Sequence, residues 1–300
     1  MVYTHLREKS SILLKTDKDL AREIGWKHCP EELAFMEKII HYCWFGGSPL
    51  PEPVIKCIDS WNKYLPDYEI RKWDETCFDV SVCAYTKEAY DHGKWAFVSD
   101  YARFWILYHY GGLYFDTDVE VIRPMNDILS AGPFMGCEKV VYNDGSICLE
   151  VASGLGMAAE KEMPIYRQIL EKYEGMHFEK LDGTLNYDTV VKNVTEIMKE
   201  QGFQGNGEIE TVAGVSIYPT EYFCPMDYFT GEMMITENTR AIHHFDETWK
   251  NPTWIRISEI KRQYVAAGKR GCLREKLELF PWRIKNRIEN EGFRGLFRIK

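Results

Sequence analysis

Hydrophobic and polar positions along the chain divide it into short β-type runs and longer helical ones. Lys38-Ile39-Ile40-His41-Tyr42-Cys43-Trp44-Phe45 is rich in β-formers and stops at Gly46-Gly47 and the prolines at 49, 51 and 53. It predicts a buried strand that empties into a loop. A helical pattern follows over Val54–Tyr64, then an alternating run over Tyr68–Trp73. Strand, helix, strand at this spacing predicts a βαβ unit and a mostly parallel sheet. The clearest helix is Ala96–Tyr110, where Phe97, Tyr101, Phe104, Trp105 and Tyr108 fall on one face. Gly111-Gly112 closes it as a C-cap, and Leu113-Tyr114-Phe115 enters a strand running on through Asp116-Thr117-Asp118-Val119-Glu120-Val121.

Further on, 133–160 breaks into strand-like pieces and glycines. Pro164–Tyr173 and Thr189–Glu200 read as helices, and Ile209–Tyr218 reads as a hairpin about Ala213-Gly214. Arg240–Phe245 is a last short strand, followed by two basic amphipathic helices split near Gly268 and Gly271. No internal repeat or low-complexity linker interrupts the pattern. The division expected is a polar, helical extension over 1–37, an α/β domain over 38–250, and basic helices over 251–300.

Composition narrows the class. The chain has 300 residues, 45% hydrophobic and 28% charged, so disorder and collagen-like repeats are excluded. No apolar run approaches the roughly 18 residues of a membrane-spanning helix, and MVYTHLREKSS has no apolar core of a secretory signal. Nine cysteines, odd in number and without CxxC, fit reduced thiols in a cytosol better than a disulfide framework or zinc site. Formal charge is −9, yet residues 256–300 hold thirteen Lys/Arg against five Glu. The acidic body argues against a nucleic-acid partner.

The candidate chemistry lies in the acidic run. In a continuous strand Asp116, Asp118 and Glu120 share one face. Three carboxylates flanked by apolar residues are costly without a counter-charge, and oxygen ligands suit Mg²⁺ or Mn²⁺. A solvated sheet edge is the bland alternative. On the preceding helix Asp100 and Arg103 stand at i, i+3 and share a face. They make a local ion pair, or a planar cationic fork beside the acidic strand for phosphate or sugar hydroxyls.

Three segments carry a resemblance: Ile39–Gly47, Trp95–Arg103 and Tyr110–Glu120. In this order and spacing the chain resembles glycosyltransferase family 32 over about residues 38–250. That family contains bacterial capsular polysaccharide transferases with a DXD region. It is related to yeast initiating mannosyltransferases and more distantly to clostridial glucosylating toxins. Ile242-His243-His244-Phe245 with Thr248-Trp249 resembles its C-terminal motif, with Thr at the usual Ser step. The resemblance implies a GT-A fold, with a Rossmann-like nucleotide-binding sheet and helices on both faces. It implies a nucleotide-sugar donor, a divalent metal (Mn²⁺ or Mg²⁺) and retention of anomeric configuration.

By the same resemblance Trp44 falls where the base stacks. Asp100 and Arg103 fall on donor sugar and phosphates, Asp116 on ribose and sugar hydroxyls, Asp118 on the metal, and Trp249 on the β-phosphate. Asp116 is also carried as a metal ligand and, with Asp100 and Arg103, as a catalytic residue. Asn186, in Asp182-Gly183-Thr184-Leu185-Asn186, is a candidate donor contact or part of a surface turn. His243 and His244 are both candidate metal ligands. Alternation lets only one reach the metal and leaves open which.

The resulting expectation is a metal-dependent retaining transferase moving a sugar, from a UDP-sugar first of all, to a saccharide or lipid-linked oligosaccharide in capsular or other surface glycan synthesis. Front-face attack is preferred, with a donor phosphate oxygen taking the acceptor proton, because no nucleophile stands out in the sequence. The rival readings are a toxin-like protein glycosyltransferase, a non-catalytic binding module, and a paired-carboxylate hydrolase. The last is disfavoured because Asp116 and Asp118, two apart on one strand face, cannot flank a bond. The expected location is the cytoplasm, with residues 256–300 as a means of holding the anionic inner face of the membrane.

Overall fold

Nine strands and nine helices are seen among the described residues of this computed structural model, which are 36–141, 147–228, 230–245, 252–269 and 271–291. Apart from its last two residues, the extension expected over 1–37 lies outside them. All of them fall in one unit, Met36–Lys300. The first strand, β1 (Ile39–Cys43), leads through α1 (Glu52–Tyr64) to β2 (Glu69–Trp73). Two helices follow, α2 (Ala84–Asp91) and α3 (Trp95–Tyr110), and then β3 (Gly112–Tyr114). Next come β4 (Val119–Val121), α4 (Asn126–Ser130), β5 (Phe134–Val141) and β6 (Ile147–Ala159). They are followed by α5 (Pro164–Glu174), α6 (Val190–Glu200), β7 (Glu210–Val212), β8 (Val215–Tyr218), α7 (Thr220–Phe223) and β9 (Ala241–His243). Two helices end the described chain, α8 (Pro252–Ala266) and α9 (Leu273–Glu291).

The main sheet has the order β2-β1-β3-β6-β5-β8-β7. β1 pairs in parallel with β2 and β3, as the βαβ reading requires, and β5 pairs in parallel with β8. The other three pairings, β3–β6, β5–β6 and β7–β8, are antiparallel. The parallel core is therefore extended by a long β5–β6 hairpin and the short β7–β8 hairpin. Antiparallel neighbours need no crossover helix, so β5 and β6 can pair directly although they are close in the chain.

Helices cover both faces, and strand alternation sorts the core. Cys43, Tyr114, Met135 and Met157 point to one side, among Tyr85, Phe97, Tyr101, Phe104, Tyr166 and Val194 of α2, α3, α5 and α6. Ile40, Tyr42, Leu113, Phe115 and Phe134 point to the other, with Cys57 and Trp61 of α1 and Phe223 of α7. The chain leaves β1 to build β2 on one side, then returns to place β3 on the other. The β1/β3 boundary is thus a topological switch point, and in open α/β sheets ligands bind outside the strands' carboxyl ends there.

His41 locks this boundary. Its ring is buried on β1, takes the Trp73 indole N–H on Nδ1 at 3.0 Å, and through Nε2 donates to the Gly111 carbonyl at 3.1 Å. Accepting on Nδ1 requires the neutral ring, whereas the bond to Gly111 would survive protonation. Burial holds its pKa down at about 4, against the opposing pull of the Gly111 carbonyl. A histidine whose native pKa is depressed loses its contribution as pH falls from its unfolded value, near 6.5, towards 4. His41→Gln should therefore lose less stability between pH 7 and 4.5 than the wild type. The difference should be roughly 2–3 kcal/mol, by the linkage of protons to unfolding. Urea denaturation of both proteins at the two pH values measures it. Equal losses would show that His41 is not the acid-sensitive group.

The turn beside His41 depends on glycine. Gly112 has φ +95°, and a Cβ there would stand 2.7 Å from the Ile39 carbonyl oxygen. Only glycine lets the chain pass from α3 directly into β3 against the β1 backbone.

Candidate active site

The Asp-x-Asp segment is not the continuous strand that its alternation suggests. β3 ends at Tyr114, residues 115–118 turn, and β4 resumes in a separate two-stranded sheet with β9. The turn is closed by Val119 N–H donating to the Asp116 carbonyl at 3.1 Å. The outer edge of β4 is held by α1 side chains. Trp61 donates its indole N–H to the Val119 carbonyl at 2.8 Å, and Ser60 Oγ accepts from Val121 N–H at 2.9 Å. Period-two alternation fails across a turn, so Asp116, Asp118 and Glu120 have different partners and do not share one face.

Asp116 is held by Arg103 in a two-point clamp, Nη1 to Oδ2 at 3.2 Å and Nη2 to Oδ1 at 3.1 Å. The Tyr114 hydroxyl donates to Oδ1 at 3.0 Å. Arg103 also donates from Nη2 to Asp100 Oδ1 at 3.0 Å, from Nη1 to Ser153 Oγ at 3.4 Å and from Nε to the Ser99 carbonyl at 3.2 Å. Every N–H-bearing nitrogen of the guanidinium is engaged, and its side chain is only 4% exposed, against 28% for Asp116. Arg103 is thus a positioning residue beneath Asp116, and Asp116 is the member turned towards solvent. This differs from the direct phosphate contact expected of Arg103.

One cation serves two carboxylates here, so the cluster carries an uncompensated negative charge. Burial pushes the Asp100 carboxyl up to about 7, with Arg103 opposing and Asp116 adding to the rise. Burial disfavours the Arg103 charge, but Asp116, Tyr114 and Asp100 outweigh it and hold the guanidinium protonated.

A residue the sequence reading missed makes room for this clamp. Gly154 on β6 accepts the Asp116 N–H through its carbonyl at 3.0 Å. A Cβ on it would overlap an Asp116 carboxylate oxygen, lie 2.8 Å from Asp116 Cγ, and lie 3.0 Å from Arg103 Nη1. Glycine inside a strand often marks such a close approach, and that was the available signal. Gly154→Ala should displace the Asp116 carboxylate and lower turnover on the order of 100-fold, the usual consequence of a misplaced group of about 1 Å. The melting temperature should also fall, because the displaced carboxylate gives up its bonds to Arg103 and Tyr114. Turnover at the wild-type level would remove Asp116 from the reaction.

The histidine ambiguity is resolved by the side-chain contacts. β9 pairs antiparallel with β4, Val119 opposite His243 and Glu120 opposite Ile242. His243 Nε2 lies 3.2 Å from Asp118 Oδ1, while His244 Nε2 lies 2.9 Å from Glu120 Oε2. His243 is the histidine beside the Asp-x-Asp turn. Burial works against its charge, but Asp118 and the neighbouring Cys224 thiol lift its pKa well above the ordinary value. Its Nδ1 is buried and, among the described residues, no group other than the nearby Cys224 thiol is placed to bond it.

Among the described residues, no three His, Cys, Asp or Glu are grouped as metal ligands. The four residues expected to gather on a metal, Asp116, Asp118, His243 and His244, are therefore divided. Asp116 belongs to the Arg103 clamp, His244 to Glu120, and Asp118 and His243 to each other. A carboxylate and an imidazole form a partial set that fits Mn²⁺ or Mg²⁺. Such ions are commonly held by one or two protein groups plus substrate phosphates.

Trp44 leaves the carboxyl end of β1, half-buried, its indole N–H donating to the Ser48 carbonyl at 2.7 Å. It thus sits at the switch point with Asp116. Asn186 is buried in the loop before α6, with its backbone N–H on the Phe178 carbonyl at 2.7 Å and its Oδ1 accepting Asp188 N–H at 3.2 Å. It lines an open hollow of about 490 Å³ with Met176, His177 and Leu181. The Arg103 clamp is built without it. Trp249 and Thr248 lie outside the described residues.

Residues 51–135, from α1 through the Asp-x-Asp turn to the start of β5, match the family described as "Glycosyltransferase sugar-binding region containing DXD motif". Over that segment, a little over a quarter of its length, the chain is similar to DXD-type glycosyltransferases. It is similar to inositol phosphoceramide mannosyltransferase 1 of Schizosaccharomyces pombe, 29% identical over 117 residues, which are 35% of this chain and 35% of that protein. It is also similar to inositol phosphoceramide mannosyltransferase 3 of the same yeast, 31% identical over 121 residues, 39% of this chain and 33% of that protein. The chain thus spans about a third of the length of these relatives. Among solved structures, the PaToxG glycosyltransferase aligns with 67% of this chain and 81% of its own at a TM-score of 0.40 and 17% identity. The galactosyltransferase LgtC, in complex with donor and acceptor sugar analogs, aligns with 81% of this chain and 99% of its own at a TM-score of 0.39 and 14% identity.

Proposed function

We propose that this protein transfers a sugar from a nucleoside diphosphate donor to a hydroxyl of a saccharide or lipid-linked oligosaccharide, with retention of configuration. The observation that carries the reading is the clamped Asp116 at the carboxyl end of β3, with Trp44 leaving the neighbouring β1 and the Asp118–His243 pair on the adjoining turn. A carboxylate held by Arg103 and Tyr114 is preorganised to accept hydrogen bonds from ribose or sugar hydroxyls. Trp44 offers an aromatic face to a base. Asp118 and His243 would hold a divalent ion, which when bound neutralises charge growing on a diphosphate leaving group. The two yeast relatives are named for transferring mannose to inositol phosphoceramide, which supports a lipid-borne acceptor and a mannose donor among the candidates. UDP-sugars remain the first donors proposed, and surface glycan synthesis is the proposed setting.

The test is a thermal-shift panel of UDP- and GDP-sugars, each with and without Mn²⁺. A ligand that binds the native state alone raises its stability by about 2.7 kcal/mol at a hundredfold excess over Kd. One donor should raise the melting temperature by several degrees, and only with the metal. No shift with any donor would leave a fold without donor binding and turn the reading to a non-catalytic module.

A further inference from the structure

Helix α9 presents an apolar stripe that no described part of the protein covers. Leu273, Leu277 and Phe280, at i, i+4 and i+7, are 72%, 66% and 63% exposed. At 100° per residue they form one line along the helix, which half-buried Ile284 and Ile288 continue. The opposite face is fastened to α8. Leu279 is buried, Glu278 accepts the Tyr264 hydroxyl at 2.8 Å, and the Arg256 guanidinium lies over the Trp282 ring at 6.0 Å. The orientation of α9 is therefore set, and the stripe faces outward.

Cations border the stripe on both sides. Arg274 and Lys285 fall on one flank and Lys276 and Arg283 on the other, all four exposed. Lys285 also lies 3.8 Å from Glu289. The acidic residues Glu275, Glu278 and Glu289 lie towards the α8 side. An apolar line between two basic borders lets hydrocarbon enter the acyl boundary while long cationic side chains reach anionic headgroups. No described helix is long and apolar enough to cross a membrane, so the geometry is that of a helix lying on a bilayer.

The α8–α9 pair is tied to the region of the candidate site. The Trp254 ring of α8 lies 5.2 Å from that of Tyr187, tilted against it, and Arg262 lies 5.2 Å over Tyr228, whose ring meets Phe245 at 5.1 Å. Phe245 in turn lies 4.2 Å from His243.

We infer that α9 is an interfacial anchor, its Leu273–Leu277–Phe280 stripe seated in an anionic lipid leaflet and its flanking Arg and Lys on the headgroups. The inference is independent of which donor the site takes. The test is co-sedimentation of the full chain with phosphatidylcholine vesicles, with or without 30 mol% phosphatidylglycerol. Binding should require the anionic lipid and weaken with salt. Leu277→Glu/Phe280→Glu should lower partitioning at least about tenfold, as expected when apolar insertion is lost. Arg274→Gln/Lys276→Gln should halve it or more. Both variants should keep the wild-type circular dichroism and melting temperature, since the altered residues are exposed. Failure of the wild type to sediment with anionic vesicles would overturn the inference, as would equal sedimentation of the Leu277/Phe280 variant. So would a wild-type dimer in gel filtration that the Leu277/Phe280 variant breaks, which would make the stripe a contact between copies.

Discussion

Arg103→Met should destabilise the protein by about 3–5 kcal/mol, the usual cost of stripping one partner from a buried ion pair. In a domain of this size that is a fall of roughly 10 °C in melting temperature. The reason is the charge count around the guanidinium. Asp100 is buried, and both it and Asp116 bond to the same cation. With methionine there, Asp100 must take up a proton or remain charged without a partner. Asp100 is already pushed up to about 7 by its burial, so protonation is the cheaper course. Arg103→Met/Asp100→Asn should therefore recover part of the lost stability, and this recovery identifies electrostatics rather than packing as the cause. Activity should not recover, because Asp116 has lost its clamp. Arg103→Lys keeps the charge but not the planar fork, and should lose activity with a smaller loss of stability. Differential scanning calorimetry of the four proteins decides the matter. Equal melting temperatures would mean that the clamp is not part of what holds α3 to the end of β3.

The second large effect is expected at Asp118. Asp118→Asn should lower sugar transfer by about 10²–10³-fold, the scale for losing one preorganised electrostatic group. It should also abolish the Mn²⁺-dependent part of any donor-induced thermal shift. The amide keeps the size of the side chain but can bind a cation only through a neutral oxygen. It also removes the charge that holds His243 protonated against its burial. Asp118 is largely buried against His243, their side chains 18% and 15% exposed, so the melting temperature without ligands should also fall by several degrees. Transfer rates and the Mn²⁺ titration are read separately. Loss of rate with an unchanged metal response would place the ion elsewhere and leave Asp118 as a donor contact.

The sequence by itself determined the elements whose causes are local. The β-rich run that becomes β1, the aromatic face of α3 and its Gly-Gly stop, and the β7–β8 hairpin all follow from periodicity and turn chemistry. Asp100 and Arg103 were legible as a pair because i, i+3 spacing on a helix fixes their common face. The Asp-x-Asp residues and the two histidines were legible as candidates by their resemblance to known glycosyltransferases. Periodicity missed the short helices α2, α4 and α7, which hold too few residues for a clear pattern.

Tertiary structure decided whatever depends on groups distant in the chain. Alternation treats residues 113–121 as one strand, but β4 leaves the main sheet because β9 offers it a partner and α1 holds its other edge. That break, which no local pattern encodes, sends Asp116 to Arg103 and Asp118 to His243. The β4–β9 register sets the His244 backbone beside Asp118, but the turn carries the Asp118 carboxylate to His243. Gly154, 38 positions from Asp116 in the chain, matters only because the β3–β6 pairing carries its backbone beneath the Asp116 carboxylate. Local preferences fix which residues can form an element. Only long-range pairing fixes which of their side chains meet, because its free energy comes from contacts that do not exist until the chain has closed on itself.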